Sequence, residues 1–464
     1  MADLNRRRFL GYTAGTAMAG FAALRGFDLS SAPPSLGRRV ATLGQGGYGP
    51  LQTAGPDLAL PPGFEYRKFG LTGSLMSDGV ATPLAHDGMA AFPLPNGNIR
   101  LIRNHEVRRR ARSAEVPDLV YDPGAGGGTT SMEIDPVTRE VVRDFVSLTG
   151  TAVNCAGGAT PWGSWLTCEE IVAGASGPAQ GPGGPQTGGP QNWRPMREHG
   201  YVFEVPASAE GLIDPVPLRA MGRFVHEAAA VDPATGIVYL TEDRGRAGFY
   251  RFLPSRPYRD GEQGDLAAGG ELQMLAVEGQ PNLDCATGRE VGPRLPIRWV
   301  TIDDPDPPQA LQNASAVFDQ GWDQGGARFS RVEGCFYGDG SIYFTCTDGG
   351  DARFGQIWHY RPDGDDGGEL ILVFESTSRE ILDRPDNICV SPRGGIVITE
   401  DGGGGNFVRG LTPEGRMFDF AENVANSSEF AGPTFSPDGE TLFLNIQRPG
   451  ATYAIWGPWG VGGF

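Results

Sequence analysis

The stretch HEAAAVDPATGIVYLTED, residues 226–243, opens on a histidine and an acid and runs through small apolar residues to a turn at Pro233-Ala234-Thr235-Gly236. It returns through Ile237-Val238-Tyr239-Leu240 and closes on Thr241-Glu242-Asp243. Proline presets φ, glycine supplies positive φ, and β-branched and aromatic residues favour the return strand, so the stretch predicts an antiparallel hairpin. The same unit recurs at Asp87 to Glu106, Asn154 to Glu170, Arg331 to Asp348, Asp386 to Asp401 and Glu429 to Gln447. Its turns read Pro95-Asn96-Gly97, Gly338-Asp339-Gly340, Pro392-Arg393-Gly394 and Pro437-Asp438-Gly439, and less clearly Pro161-Trp162-Gly163. The copies start roughly 45 to 105 residues apart, which suits propeller blades carrying loop insertions. With little helix between them, the repeats predict an all-β fold, a six-bladed β-propeller with loop insertions. Unrelated hairpins in a β-sandwich are the alternative.

A hairpin brings its first and last residues to the same end. If these are the inner strands, Glu106, Cys155, Glu169, Glu227, Glu242, Glu333, Asp386, Glu400 and Glu429 collect at one mouth of a central channel. Bare carboxylates so crowded raise one another's pKa values, and bound cations remove that penalty. A metal cluster is expected there.

The 464 residues include 71 glycines and 38 prolines, and a hydrophobic content of 39% suffices for a large core. A net charge of −18 excludes general electrostatic binding to nucleic acid or anionic membrane. Asn5-Arg6-Arg7-Arg8-Phe9-Leu10 is a twin-arginine pattern, and the weakly apolar run Gly11 to Leu24 follows it. Residues 1–30 are therefore read as a twin-arginine signal segment and 31–464 as a single β-propeller catalytic domain. Export through the twin-arginine translocation machinery implies a periplasmic, cell-surface or secreted protein. The six cysteines show no CxxC spacing, and a large core needs no disulfide staples. The Gly-, Pro- and Gln-rich run Gly174 to Gln191 is expected to be a peripheral loop.

Several segments carry a family resemblance. They include Asn104-His105-Glu106, NCAGGATPWGSWLTCEE at 154–170, His199-Gly200-Tyr201-Val202-Phe203-Glu204-Val205 and Arg223-Phe224-Val225-His226-Glu227-Ala228. Later ones are Tyr239-Leu240-Thr241-Glu242-Asp243, Phe329-Ser330-Arg331-Val332-Glu333-Gly334, Pro385-Asp386-Asn387, Thr399-Glu400-Asp401 and Asn445-Ile446-Gln447. Together the chain resembles the PhoX-type alkaline phosphatases along nearly its whole length. The resemblance implies a metal-dependent phosphomonoesterase with iron and calcium in its site and a small phosphomonoester as substrate. By motif, Cys155 resembles an iron-ligating cysteine, Glu227 and Glu333 resemble carboxylate ligands, and Arg331 resembles a phosphate-binding arginine. For a second phosphate-binding arginine, Arg448 and Arg384 both remain open.

The residues bear on these roles directly. Cys155 sits at the repeat position that Glu227 and Glu333 occupy in other copies, and a thiolate among hard carboxylates suits iron better than calcium alone. Glu106, Glu169, Glu242, Asp386 and Glu400 are candidates for calcium, which accepts six to eight oxygens. Neighbours such as Glu169 and Glu170 alternate faces on a strand, so one of each pair points inward. Arg331 lies two residues from Glu333; its fork suits phosphate, or an ion pair with a nearby acid. Cys168 is expected in the core. A monomer is expected. The rival readings are a calcium-dependent lactonase or phosphotriesterase on the same scaffold, and a non-catalytic binding propeller.

Overall fold

A computed structural model describes residues 47–464 except 108–118, 176–177, 186–192, 194, 260–263, 365 and 404–405. The segment 1–30, expected to be a twin-arginine signal, lies outside the described residues. Each repeat forms an antiparallel hairpin: His86–Pro93 with Ile99–His105, Asn154–Ala159 with Ser164–Glu169, and His226–Val231 with Val238–Glu242. The other three are Val332–Gly338 with Ser341–Cys346, Pro385–Val390 with Ile396–Glu400, and Phe430–Phe435 with Leu442–Ile446. Among the described residues helix is confined to Ala316–Asp323 and a few short 3-10 turns. The fold is all-β, with its sheets in a propeller arrangement.

The first strands of the six hairpins touch one another in chain order, and the last touches the first. The core lies between neighbouring sheets. Ala90 and Ile102 of the first hairpin pack on Trp165 and Phe203 beside the second, and Met89 and Leu101 pack on Phe443 and Ala454 beside the sixth. The hydrogen-bonded sheets do not divide into six equal units. Four contain four or more strands, one of them nine-stranded, and the second hairpin belongs to a three-stranded sheet. The nine-stranded sheet arises because Arg294–Thr301, an inserted strand, pairs with both Gly270–Val277 and Gly367–Glu375. Closure uses the chain's beginning: Glu65–Phe69 pairs with Ala451–Trp456 as the outermost strand of the last sheet.

Strands that meet at the axis leave no room for side chains between them. A Cβ at Gly158 would overlap the Ala229 carbonyl of the next inner strand, and one at Gly432 the Asp87 carbonyl. This explains Gly158, set against Ala229, whereas a Cβ at Gly157 would strike the Leu166 carbonyl of its own hairpin. Every inner strand also carries a β-bulge near its start, where pairing skips two residues. The skipped pairs are Asp87-Gly88, Cys155-Ala156, Glu227-Ala228, Glu333-Gly334, Asp386-Asn387 and Gly432-Pro433. A bulge bends its strand and re-aims the unpaired side chain. In five of the six, the first unpaired residue is an acid or a thiol.

Gly158→Ala should lose on the order of 1–3 kcal/mol through overpacking. Gly211→Ala, where a Cβ meets nothing within 4 Å, should be neutral; unfolding midpoints of the two variants check the contrast.

Candidate metal centre

The hairpin ends build the mouth in three tiers. The carbonyls of Ala85, Val153, Val225, Arg331, Arg384 and Glu429 accept N–H bonds from Glu106, Glu170, Asp243, Thr347, Asp401 and Gln447 at 2.9 to 3.1 Å. These bonds pin each strand entry to its hairpin's exit. Ala85, Val153, Arg331 and Arg384 hold φ between +48° and +59°, a costly conformation for residues with a Cβ. Two residues beyond each entry comes the bulge that turns Asp87, Cys155, Glu227, Glu333 and Asp386 inward.

The result is a cavity of about 600 Å³. Nine acids line it: Asp87, Glu106, Glu170, Glu227, Glu333, Asp348, Asp386, Asp401 and Glu429. Cys155, Arg331, Arg384 and Gln447 join them, and Pro182 and Gly183 overhang it. Of the residues anticipated from sequence, Glu106, Cys155, Glu227, Arg331, Glu333 and Asp386 are brought together here.

Glu169, Glu242 and Glu400 are not. Each ends its strand directly opposite the first residue of its partner strand, at Asn154↔Glu169, His226↔Glu242 and Pro385↔Glu400. They share the face of that first residue, one residue out of phase with the bulged ligand. Glu242 accepts from Gly248 N and Tyr250 Oη at 3.0 and 2.8 Å, and Glu400 from Asp383 N and Arg409 Nε at 2.9 and 2.8 Å. Burial raises both carboxyls to about 7. The following residues reach the mouth instead: Glu170 and Asp401 line the cavity, and Asp243 binds Arg331. The Asn104-His105-Glu106 copy, whose acid follows the strand end, already carried this phase. Asp87, Asp348, Glu429 and Gln447 open or close copies of the repeat, and of these only Glu429 is gathered at the mouth by name from the sequence. The hairpin Gln180–Gly181 with Gly184–Pro185, inside a stretch expected to be peripheral, brings Pro182 and Gly183 to the cavity.

Arg331 donates from Nε and Nη2 to the two Asp243 oxygens, both at 2.9 Å, and its Nη2 lies 2.6 Å from Glu333 Oε1. The ion-pair alternative is thus realised. Glu333, and to a lesser extent Asp243, raise the guanidinium pKa further. The Gln447 amide donates to Asp87 Oδ2 at 3.0 Å and Glu106 Oε2 at 2.9 Å.

One ligand atom from each of Cys155, Glu170 and Glu227 lies within 4.8 Å of the others. Both Glu227 oxygens are buried without a hydrogen-bond partner among the described residues. An unpartnered buried carboxylate is expensive. Burial, then Glu170 and Glu333, hold Glu227 well above the usual carboxylate range. Burial, then Asp87 and Glu227, hold the Cys155 thiol well above its own. Three deprotonatable donors, one of them soft and one unpartnered, fit a cation. All six cysteines are free, and Cys168 lies in the core.

Behind Glu170, His199 is clamped between Glu169 Oε1 at Nδ1, 2.7 Å, and Asp122 Oδ2 at Nε2, 3.1 Å. Both ring nitrogens face acceptors, so the imidazolium is the form that fits. Burial opposes the charge, yet the carboxylates prevail and raise its pKa to about 9. The unfolded value is about 6.5. The clamp's contribution is therefore complete below about pH 6.5 and lost as pH rises through about 9. His199→Gln should be destabilised at neutral pH, and its deficit should shrink between pH 7 and 10, as paired denaturation curves would reveal.

A family model described as alkaline phosphatase PhoX matches residues 46–450. Pseudomonas fluorescens PhoX, solved in complex with vanadate, a transition state analogue, is 20% identical with a TM-score of 0.68, over 91% of this chain and 100% of that one. A Xanthomonas campestris gluconolactonase, XC5397, is 12% identical with a TM-score of 0.38, over 92% of this chain and 99% of that one. No curated protein matches the chain.

Proposed function

The chain belongs to the PhoX alkaline phosphatase family and is a phosphomonoester hydrolase, and we propose that the acidic cavity is its catalytic metal centre, loaded with iron and calcium. The observation that carries this reading is the lining itself. Nine carboxylates against two arginines would repel a phosphate dianion unless cations change the sign of the field. The donors differ across the cavity. Cys155, Glu170 and Glu227 form a thiol-bearing set suited to iron, with Glu333 and Asp386 beside Glu227 as further carboxylate ligands, while Asp87, Glu106, Asp401, Glu429 and Gln447 offer oxygen donors suited to calcium. Bound there, the metals would supply Lewis acidity toward the phosphoryl group and acidify a water.

The chain's own residues bind and orient the substrate. Asp243 takes the Nε–Nη2 edge of Arg331 and fixes its plane, which leaves Nη1 as the edge for a phosphate oxygen. Arg384 is the repeat equivalent of Arg331 and lines the same cavity, whereas Arg448 does not. This favours Arg384 as the second phosphate-binding arginine. The site draws on a six-bladed ring, a reading supported by the closed circuit of inner strands and the sixfold bulge. We assign residues 31–464 to one catalytic domain.

Metal analysis of the purified protein, alongside hydrolysis of a chromogenic phosphomonoester, tests the reading. Iron and calcium are expected together. Prolonged chelation should abolish turnover, and Cys155→Ser should lose iron and reduce kcat by at least about a hundredfold while staying folded. Calcium as the sole metal, with full activity in Cys155→Ser, would instead remove iron and the thiol from the centre.

Export through the twin-arginine pathway is proposed from Arg6 and Arg7. Replacing both by lysine should retain the precursor in the cytoplasm, and its undiminished appearance outside, on fractionation, would reject the assignment.

A further inference from the structure

The bulges that aim the ligands also strand their backbone. Asp87, Cys155, Glu333 and Asp386 fall in the two-residue gaps of their own hairpin ladders. Buried carbonyls left out of a ladder require other donors. In each case the donor is a polar side chain of the preceding hairpin.

Asn445 Nδ2 donates to Asp87 O at 2.6 Å and Asn104 Nδ2 to Cys155 O at 2.9 Å. Thr241 Oγ1 donates to Glu333 O, and Thr345 Oγ1 to Asp386 O, both at 2.7 Å. All four donors are fully buried. Each stands two residues before the residue that closes its hairpin, namely Gln447, Glu106, Asp243 and Thr347, and so on the same strand face.

Asn104 is the most constrained. Its Nδ2 also donates to Ala156 O at 2.8 Å, and its Oδ1 accepts from Trp165 Nε1 and Thr167 Oγ1, each at 2.8 Å. An indole N–H only donates, so the amide cannot be reversed. Both carbonyls of the Cys155 bulge are thereby held from one side. The two remaining hairpins depart from the pattern for visible reasons. Thr399, like Thr241, bonds the bulge of its own hairpin, but the bulge it faces carries Gly432-Pro433 rather than an acid. In the second hairpin the corresponding position is Cys168, a weak donor.

We propose that Asn104, Thr241, Thr345 and Asn445 are positioning residues, each fixing the bulge that aims a metal-ligating side chain of the next hairpin. The proposal rests on the metal-centre reading. It makes ligand geometry a property of neighbouring strands together, so a lost latch lets the bulge relax and the ligand swing off its cation without removing any ligand.

Chelator-stripped full-length protein titrated with Co²⁺ gives the test, with the thiolate-to-cobalt absorption band reporting Cys155. Asn104→Asp keeps the shape and removes both donors. It should weaken Co²⁺ binding about 10- to 100-fold, the usual effect of losing an outer contact to a ligand, and diminish the band. Thr345→Val should weaken binding similarly and Thr345→Ser restore it, so this pair decides the matter if Asn104→Asp does not fold. Ser376→Ala is the comparison, since Ser376 Oγ holds the Leu382 carbonyl at 2.7 Å in a buried contact outside the cavity lining. It should cost stability and leave Co²⁺ affinity unchanged. The proposal is overturned if the Thr345 and Asn104 variants bind Co²⁺ as tightly as the wild type, or lose affinity only as far as Ser376→Ala does. Wild-type protein that binds no Co²⁺ would undo the metal-centre reading instead.

Discussion

Crowding at the axis governs this molecule. Inner strands that approach one another backbone to backbone exclude side chains, so the chain uses glycine and alanine where it meets its neighbour, as at Gly158 against Ala229 and Gly432 against Asp87. The same crowding removes the first residues of each inner strand from regular pairing. What would be a defect in an open sheet becomes, in five of the six bulges, the device that turns a side chain into the mouth. Strand entry in left-handed φ, bulge, and carbonyl latch follow in order from that geometry.

The mouth is electrostatically unfinished as a piece of protein. Six of its nine acids are buried, several have carboxyls raised by burial, and the single thiol is raised with them. Protons satisfy such a cluster at a cost, and cations satisfy it better, because one divalent ion neutralises two carboxylates and occupies their lone pairs. Arg331 shows the balance in miniature. It sits between Asp243 and Glu333, which keep it charged and oriented, and with Arg384 it is positive charge that the chain itself contributes. Folding energy and ligand affinity are therefore linked at this mouth, and each responds to what the other lacks.

The architecture was legible because its signals are local. Pro233-Ala234-Thr235-Gly236 and its counterparts mark turns by their own backbone chemistry, and six such turns imply the repeat. The inserted strand Arg294–Thr301, which merges two sheets, carries no such mark. At the site, Cys155, Glu227 and Glu333 were found because they occupy one repeat position. The sequence pattern points to Glu169, Glu242 and Glu400 rather than Glu170, Asp243 and Asp401 because a bulge shifts phase by a residue, and phase is a property of two strands rather than one. Pro182 and Gly183 were passed over because a Gly- and Pro-rich run has no periodicity from which to infer a location.

The closing strand has a consequence in time. Glu65–Phe69 pairs with Ala451–Trp456, so it leaves the ribosome long before its partner exists. At ordinary rates of synthesis the interval is roughly 20–80 s. Throughout it, this segment lacks its partner, and an unpaired strand edge is where chains stick to one another. Its sequence, Glu65-Tyr66-Arg67-Lys68-Phe69, places three charges in five residues, and charged residues are how natural edges repel a foreign strand. In the finished ring those charges find partners of their own, Arg67 with Glu140 and Lys68 with Asp57. The composition of this strand answers to the unfinished polypeptide as much as to the finished one.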